Sequence, residues 1–431
     1  MRAFFRDLLA DTLAVLARAV LRKYKPLVVM VTGSVGKTST KDATSAVLSE
    51  AFYLRSSKKN FNSEFGVPIT IFGMAHRWKS IRDWPAVIGE ALLLLLLPNH
   101  YPKVLVLEVG ADRPGDLARI LKIATPDAVA VTRLPKLPVH VEAYVTPAAV
   151  REEEFAPAYA LAPDAPLVLC VDDEYACALA TPLSARTSTY GEGKDADVRV
   201  GEEKPFIENG RLLGMQAQLH IAGTAHTLVV RSTVGRPQLL APAAGVAMGL
   251  ALGMSVKDAL AGAANYEPPA GRGRLLAGIN GSCLIDDTYN ASPAAVEEAL
   301  ASLQIAHAAL PGSRRIAVLG DMLELGRYSH QEHERIGQLA AGQCDILVAV
   351  GTRSRAMAEA ACAAGLPNDH VHLFETSKEA ADFLKTFVEK NDLVLVKGSQ
   401  SIRTERVTEA LLANPEDRKL LVRQDAQWKR A

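Results

Sequence analysis

The sequence predicts an α/β protein made of two successive strand-and-helix units, and three observations carry that expectation. Short, continuously apolar runs such as Val28-Val29-Met30-Val31 and Val104-Leu105-Val106-Leu107 read as strands buried in a mostly parallel sheet. Helical patterns separate them, and the alternation restarts after residue 282. At 431 residues the chain exceeds one ordinary core, so two or three domains are expected.

In order along the chain, residues 3–23 place Phe4, Phe5, Leu8, Leu9, Leu13, Leu16, Val20 and Leu21 mostly three or four apart, the mark of an amphipathic helix. It closes on Arg22-Lys23-Tyr24-Lys25 before Pro26. Docking on the following sheet is the favoured reading; contact of residues 1–25 with a membrane surface or a partner is the alternative.

The next stretch organises the rest. Val28-Val29-Met30-Val31 feeds Thr32-Gly33-Ser34-Val35-Gly36-Lys37-Thr38-Ser39-Thr40, and a helical pattern follows. Strand, glycine turn and helix start form the context in which a phosphate cradle has physical meaning. Gly33 and Gly36 allow backbone amides, with Ser34, Val35 and Ser39, to converge on phosphate oxygens. The helix N-terminus adds partial positive charge. Lys37 neutralises the β- and γ-phosphates, and the Thr38 hydroxyl suits Mg²⁺. The spacing is the short T-G-x-x-G-K-T form, with Val31 where the longer motif has glycine.

Residues 58–68 are polar with Gly66 and Pro68 late, a loop at the sheet edge where ligands gather. Residues 91–97 are nearly all leucine, but Pro98-Asn99-His100 stop them short of the roughly 20 residues a bilayer span needs, so a buried helix is expected. The strand at 103–110 ends in Glu108, placed to act on Mg²⁺ or its waters. Residues 127–132 make another strand, and the loop beyond carries His140 and Glu142; by spacing alone a lone histidine there is more often structural than catalytic. Strand-like runs continue at 167–171, 215–221 and 227–230, and an Ala- and Gly-rich helix is expected at 239–254. Tyr266-Glu267-Pro268-Pro269-Ala270-Gly271-Arg272-Gly273-Arg274 looks like a hinge. The expected organisation is therefore a helix at 1–25, an ATP-binding unit at 26–265, a hinge at 266–274 and a second α/β unit at 275–431.

Composition excludes several classes. Lys plus Arg (48) balances Asp plus Glu (48), so there is no basic excess for a nucleic-acid binder. Five cysteines without metal-type spacing read as reduced thiols of a cytoplasmic protein. The first apolar stretch, broken by Arg2, Arg6, Asp7, Asp11 and Arg18, is unlike a secretory leader.

Together these motifs resemble those of the Mur ligases, ATP-dependent amide-forming enzymes of peptidoglycan precursor synthesis. The resemblance runs over residues 28–412: the phosphate loop, Asn60-Phe61-Asn62-Ser63-Glu64-Phe65-Gly66-Val67-Pro68, Glu108-Val109-Gly110-Ala111 and Gly271-Arg272. It continues through Asp286-Asp287-Thr288-Tyr289-Asn290-Ala291-Ser292-Pro293, Leu319-Gly320-Asp321-Met322-Leu323-Glu324-Leu325-Gly326 and Val396-Lys397-Gly398-Ser399. The last three stretches, in this order, are similar to the branch that adds D-alanyl-D-alanine to a muramoyl-peptide.

The resemblance implies a central P-loop NTPase-type sheet domain, a C-terminal Rossmann-like domain, and a monomeric ligase using ATP and Mg²⁺ through an acyl phosphate. It implies that Thr38, Glu108 and His140 hold metal, and that Lys37, Glu108 and His140 are catalytic. Arg272, Asp287 and Asn290 would contact the nucleotide, and Asn60, Asn62, Lys397 and Ser399 the substrates. Three departures stand out. The phosphate loop lies only about thirty residues from the first residue, where the family carries a uridine-nucleotide-binding domain. The family's carbamylated lysine has no counterpart: the region reads Val150-Arg151-Glu152-Glu153-Glu154-Phe155, and Glu152 or Glu153 is the expected source of the missing negative charge. Pro237-Gln238 stands where the family has His-Asn. The alternatives are a ligase acting on a different or lipid-linked carboxylate, and a catalytically impaired ATP-binding regulatory module.

Overall fold

The computed structural model describes residues 2–58, 61–74, 83–425 and 428. The chain opens with helix α1 (Arg2–Tyr24), then β1 (Leu27–Thr32), α2 (Lys37–Ser49), β2 (Leu54–Ser56), α3 (Gly66–Phe72), α4 (Trp84–Leu96), β3 (Val104–Glu108), α5 (Asp116–Leu121) and β4 (Ala128–Val131). Next come α6 (Pro147–Tyr159), β5 (Pro166–Cys170), α7 (Glu174–Ala180), β6 (Arg186–Gly191), β7 (Val198–Glu208), β8 (Arg211–Ile221), β9 (Thr224–Arg231), α8 (Pro237–Ala251) and α9 (Val256–Ala264).

These strands form one nine-stranded sheet in the order β2-β3-β1-β4-β5-β6-β7-β8-β9. It is parallel up to β7, and β7, β8 and β9 extend it as antiparallel hairpins. The expected runs at 215–221 and 227–230 lie in β8 and β9. Strand β7 was hidden because Glu202, Glu203 and Lys204 interrupt its apolar pattern. In the register, Val31 faces Glu108 and Thr32 faces Val131, so the C-terminal tips of β1, β3 and β4 lie side by side. Ligands of open α/β sheets gather at such a switch in strand order.

The second unit holds β10 (Arg274–Ala277), β11 (Cys283–Asp287), α10 (Pro293–Ala309), β12 (Arg315–Gly320), α11 (Ser329–Gln343), β13 (Ile346–Val350) and α12 (Ser354–Ala363). It ends with β14 (Val371–Phe374), α13 (Ser377–Phe387), β15 (Leu393–Lys397) and α14 (Glu405–Ala410). Their sheet runs β10-β11-β15-β12-β13-β14, parallel except for β10. The tips of β11 and β15 meet at Asp287 and Lys397. Arg133, after β4, reaches across to Glu298 on α10 and ties the two units together.

Two helices settle open expectations. The buried stripe of α1 (Leu13, Ala17, Val20) joins the core with Val28, Met30 and Leu105, so this helix is docked. Its end is pinned as well: the Lys23 ammonium donates to the carbonyls of Leu94 (2.8 Å), Leu95 (3.0 Å) and Leu97 (2.9 Å), capping α4. The expectation of a buried helix over 91–97 needs correction. Only Val87, Ala91 and Leu94 of α4 are buried, while Leu92, Leu93 and Leu96 face out. Helix α4 packs on α1 and α3 with one face and leaves the other exposed.

Candidate active site

The phosphate loop is shaped by what its glycines avoid. Gly33 has φ 121°, and a Cβ there would lie 2.3 Å from Thr132 Oγ1 on the neighbouring strand tip. Gly36, at φ 91°, caps α2. The Ser34 amide donates to the Arg133 carbonyl at 3.0 Å, which fixes the turn against β4. Lys37 folds back over this turn: its ammonium donates to the Gly33 carbonyl and reaches the Ser34 carbonyl at 3.4 Å.

Two carboxylates stand beside it. Glu108 ends β3, and its Oε1 accepts from the Thr38 hydroxyl at 3.2 Å. Its Oε2 is buried with no hydrogen-bond partner. Burial pushes this carboxyl up in pKa, against the pull of Lys41, Lys37 and Arg272. A hard divalent cation fits here, since it would satisfy the orphan oxygen and offset the desolvation. Among the described residues no three His, Cys, Asp or Glu side chains form a ready cage. A cation would therefore complete its shell with phosphate oxygens and water, as Mg²⁺ commonly does.

The second carboxylate is Glu154 on α6. It accepts from the Ser34 hydroxyl and lies 3.7 Å from the Lys37 ammonium. Burial raises its pKa as well, opposed first by Lys37.

The facing wall comes from the second unit. Arg272 stacks over the Tyr289 ring at 4.1 Å, and its Nε is buried without a partner. Ser399 accepts from the Leu323 amide at 2.9 Å. The walls touch where His140 Nδ1 meets Glu324 Oε2 at 2.9 Å, with Asp112 at 3.5 Å from Nε2. Burial works against the imidazolium, but Glu324 and Asp112 outweigh it and His140 is raised in pKa. The hydrogen bond to His140 lowers Glu324 in turn. Both residues sit at positive φ (64° and 65°), so strained backbone aims them into the gap. The gap encloses about 490 Å³.

Two family models match the chain: the Mur ligase middle domain over residues 31–225, and the Mur ligase, glutamate ligase domain over residues 271–400. The chain belongs to the Mur ligase family. It is thereby an ATP-dependent ligase. It is 26% identical to the UDP-N-acetylmuramoyl-tripeptide–D-alanyl-D-alanine ligase of Bacillus subtilis, over 95% of this chain and 81% of that one. The MurF ligase of Thermotoga maritima, solved with ADP, is 26% identical with a TM-score of 0.74, covering 95% of this chain and 84% of that one. MurF of Acinetobacter baumannii shares the fold, with a TM-score of 0.76 at 23% identity over 93% of this chain and 80% of that one.

In this Mur ligase, Ser34, Val35, Gly36, Lys37, Thr38, Asn62, Glu108, His140, Arg272, Asn290 and Ser399 all line the cleft. Gly33 lies beneath it against Thr132. Ser39, Asp287 and Lys397 instead line an adjoining recess of about 60 Å³, with Arg272 and Gln238. Gln238, half of the Pro237-Gln238 departure, accepts there from the Tyr266 hydroxyl at 3.5 Å. Lys397 thus differs from its expected place before an incoming amine. It is buried, donating to Asp287 Oδ2 at 2.6 Å and to the Asn290 carbonyl at 3.0 Å. Asn60 lies outside the described residues.

The glutamate run is resolved against the sequence expectation. Glu152 accepts from the Tyr159 hydroxyl at 2.7 Å, and Glu153 caps α5 through the amides of Gly115 (3.1 Å) and Leu117 (3.0 Å). Successive helical residues point about 100° apart, so only Glu154 enters the cleft. Sequence reasoning also assigned no role to Asp112 or Glu324; the only signal was their place beside or inside a motif.

Proposed function

We propose that this Mur ligase joins D-alanyl-D-alanine to the terminal carboxylate of a muramoyl-peptide precursor of peptidoglycan, in the cytoplasm and as a monomer, with ATP and Mg²⁺. In this reading residues 26–265 and 275–431 are two domains that close about a hinge at 266–274. The observation that carries it is the single cleft in which Lys37, Glu108 and Glu154 face Arg272, Ser399 and Glu324. The name of the Bacillus subtilis relative supports the substrates.

The chemistry follows from the walls. A carboxylate oxygen of the peptide attacks the γ-phosphorus of ATP, and the bond to ADP breaks. The amine nitrogen then attacks the acyl carbon, phosphate leaves, and the nitrogen loses its proton. Lys37 exchanges the Gly33 and Ser34 carbonyls for phosphate oxygens and holds them in line. Thr38 and Glu108 would hold Mg²⁺, which when bound spreads the charge of the transferring phosphoryl group. Once Lys37 turns away, Glu154 lacks its cation partner; with His140 it would hold a second divalent ion. Glu324 and Asp112 supply negative charge that suits an incoming ammonium.

The test is to incubate the protein with ATP, Mg²⁺, D-alanyl-D-alanine and a uridine-nucleotide muramoyl-tripeptide, then weigh the product. A condensed pentapeptide with one ADP per bond is expected. Phosphate release without a dipeptide adduct would reject this amine, and background release despite ATP binding would reject turnover.

A further inference from the structure

Helix α4 inverts the usual pattern of a surface helix. Surface helices turn their polar residues outward, yet Leu92, Leu93, Leu96 and the following Leu97 are 43%, 50%, 77% and 54% exposed. Glu90 is the one exposed charge within the helix, and it lies at the margin of this face. The cap described above brings the basic end of α1 against the leucine-rich end of α4 through Lys23. Arg22, Lys25 and Lys103 around this junction are also exposed. The patch is thus apolar in the middle and cationic at its rim.

We propose that this face rests on an anionic phospholipid surface, with α4 lying in the plane of the interface. Leucines at the acyl boundary and cations among the headgroups are the two attractions such helices combine. Among the described residues no helix is long and apolar enough to cross a membrane, so the contact is with a surface. A second copy of the chain fits less well. Four leucines offer only a few hundred Å² of apolar surface, whereas a stable protein interface buries about 800 Å² per partner. The apolar stripe of α1 is already used in the core, so the contact surface is α4 with the basic rim that α1 contributes.

The test is co-sedimentation of the full chain with phosphatidylglycerol-containing vesicles and with pure phosphatidylcholine vesicles. Binding about tenfold stronger to the anionic vesicles is expected, weakening as salt rises from about 0.1 to 0.5 M. The double variant Leu93→Glu/Leu96→Glu should lose about tenfold in binding with Tm and turnover unchanged. Lys25→Glu/Lys103→Glu should abolish the preference for anionic lipid. Equal sedimentation of wild type and leucine variant would overturn the proposal. So would light scattering that finds a wild-type dimer made monomeric by the leucine changes, since the occupant would then be a second copy.

Discussion

Each unit holds a lysine beside a carboxylate, one pair in the cleft and the other in the adjoining recess, and the two pairs are built differently. Lys37 is 3.7 Å from Glu154 with its side chain 17% exposed, and its other partners are main-chain carbonyls of its own turn. Lys397 is 2.6 Å from Asp287 and 1% exposed, bracing the tips of β11 and β15. Burial lowers the Lys397 pKa against the pull of Asp287. The first ammonium can trade carbonyl oxygens for phosphate oxygens while Glu154 keeps the Ser34 hydroxyl and faces the cleft, where another cation can reach it; loss of the second takes from Asp287 the ammonium that braces it. A lysine beside a carboxylate therefore serves binding in the cleft and structure in the recess.

A second contrast runs parallel. Glu108 and Asp286 are both fully buried with one orphan oxygen. Glu108 lines the cleft, where a cation can reach it. Asp286 is enclosed by the Thr288 and Thr408 hydroxyls at 2.7 and 3.2 Å, and burial pushes its pKa up to about 6.

The largest effect expected from breaking the first contrast is in Lys37→Ala. Turnover, read as phosphate release, should fall by about a thousandfold or more while Tm stays near wild type. A matching collapse of Tm would make Lys37 a brace like Lys397 and erase the distinction. Next, Lys397→Ala should cost about 2–3 kcal/mol in urea unfolding, because Asp287, only partly exposed, loses its ammonium partner. Adding Asp287→Asn should recover part of that loss, and no recovery would argue against the brace. Third, Glu154→Gln should raise the Mg²⁺ needed for half-maximal turnover about tenfold and weaken Mn²⁺ binding seen by EPR. Glu152→Gln and Glu153→Gln should leave both readouts unchanged; a shift in either instead would return the role to the residues the sequence favoured.

The smallest effect sharpens the second contrast. Asp286 has a native pKa near 6 against an ordinary value of 3.8, so the folded state holds the proton more tightly. Wild-type stability should then fall as pH rises from about 4 to 6, and the full penalty remains above that range. Asp286→Asn should gain about 1–2 kcal/mol at pH 8 and nothing below about pH 4, measured by chemical denaturation. An equal gain at every pH would mean the carboxyl is not the source.

Much of the molecule was legible beforehand. The apolar runs at 28–31 and 104–107 became adjacent parallel strands, and Gly33, Lys37 and Thr38 took the turn their order implied. These features are local, because strand burial and turn chemistry are written within a few residues. The α4 leucines show the limit: composition marks a helix as apolar but cannot say whether one face or two will be covered.

The sequence alone determined two α/β units, a phosphate loop on the first and motif residues waiting on the second. Tertiary structure decided which member of Glu152-Glu153-Glu154 enters the cleft, that Lys397 is a buried brace, and that His140 meets Glu324 across the gap. The reason is geometric. Backbone preference acts over one turn, whereas the direction of a side chain matters only once a distant segment arrives to meet it.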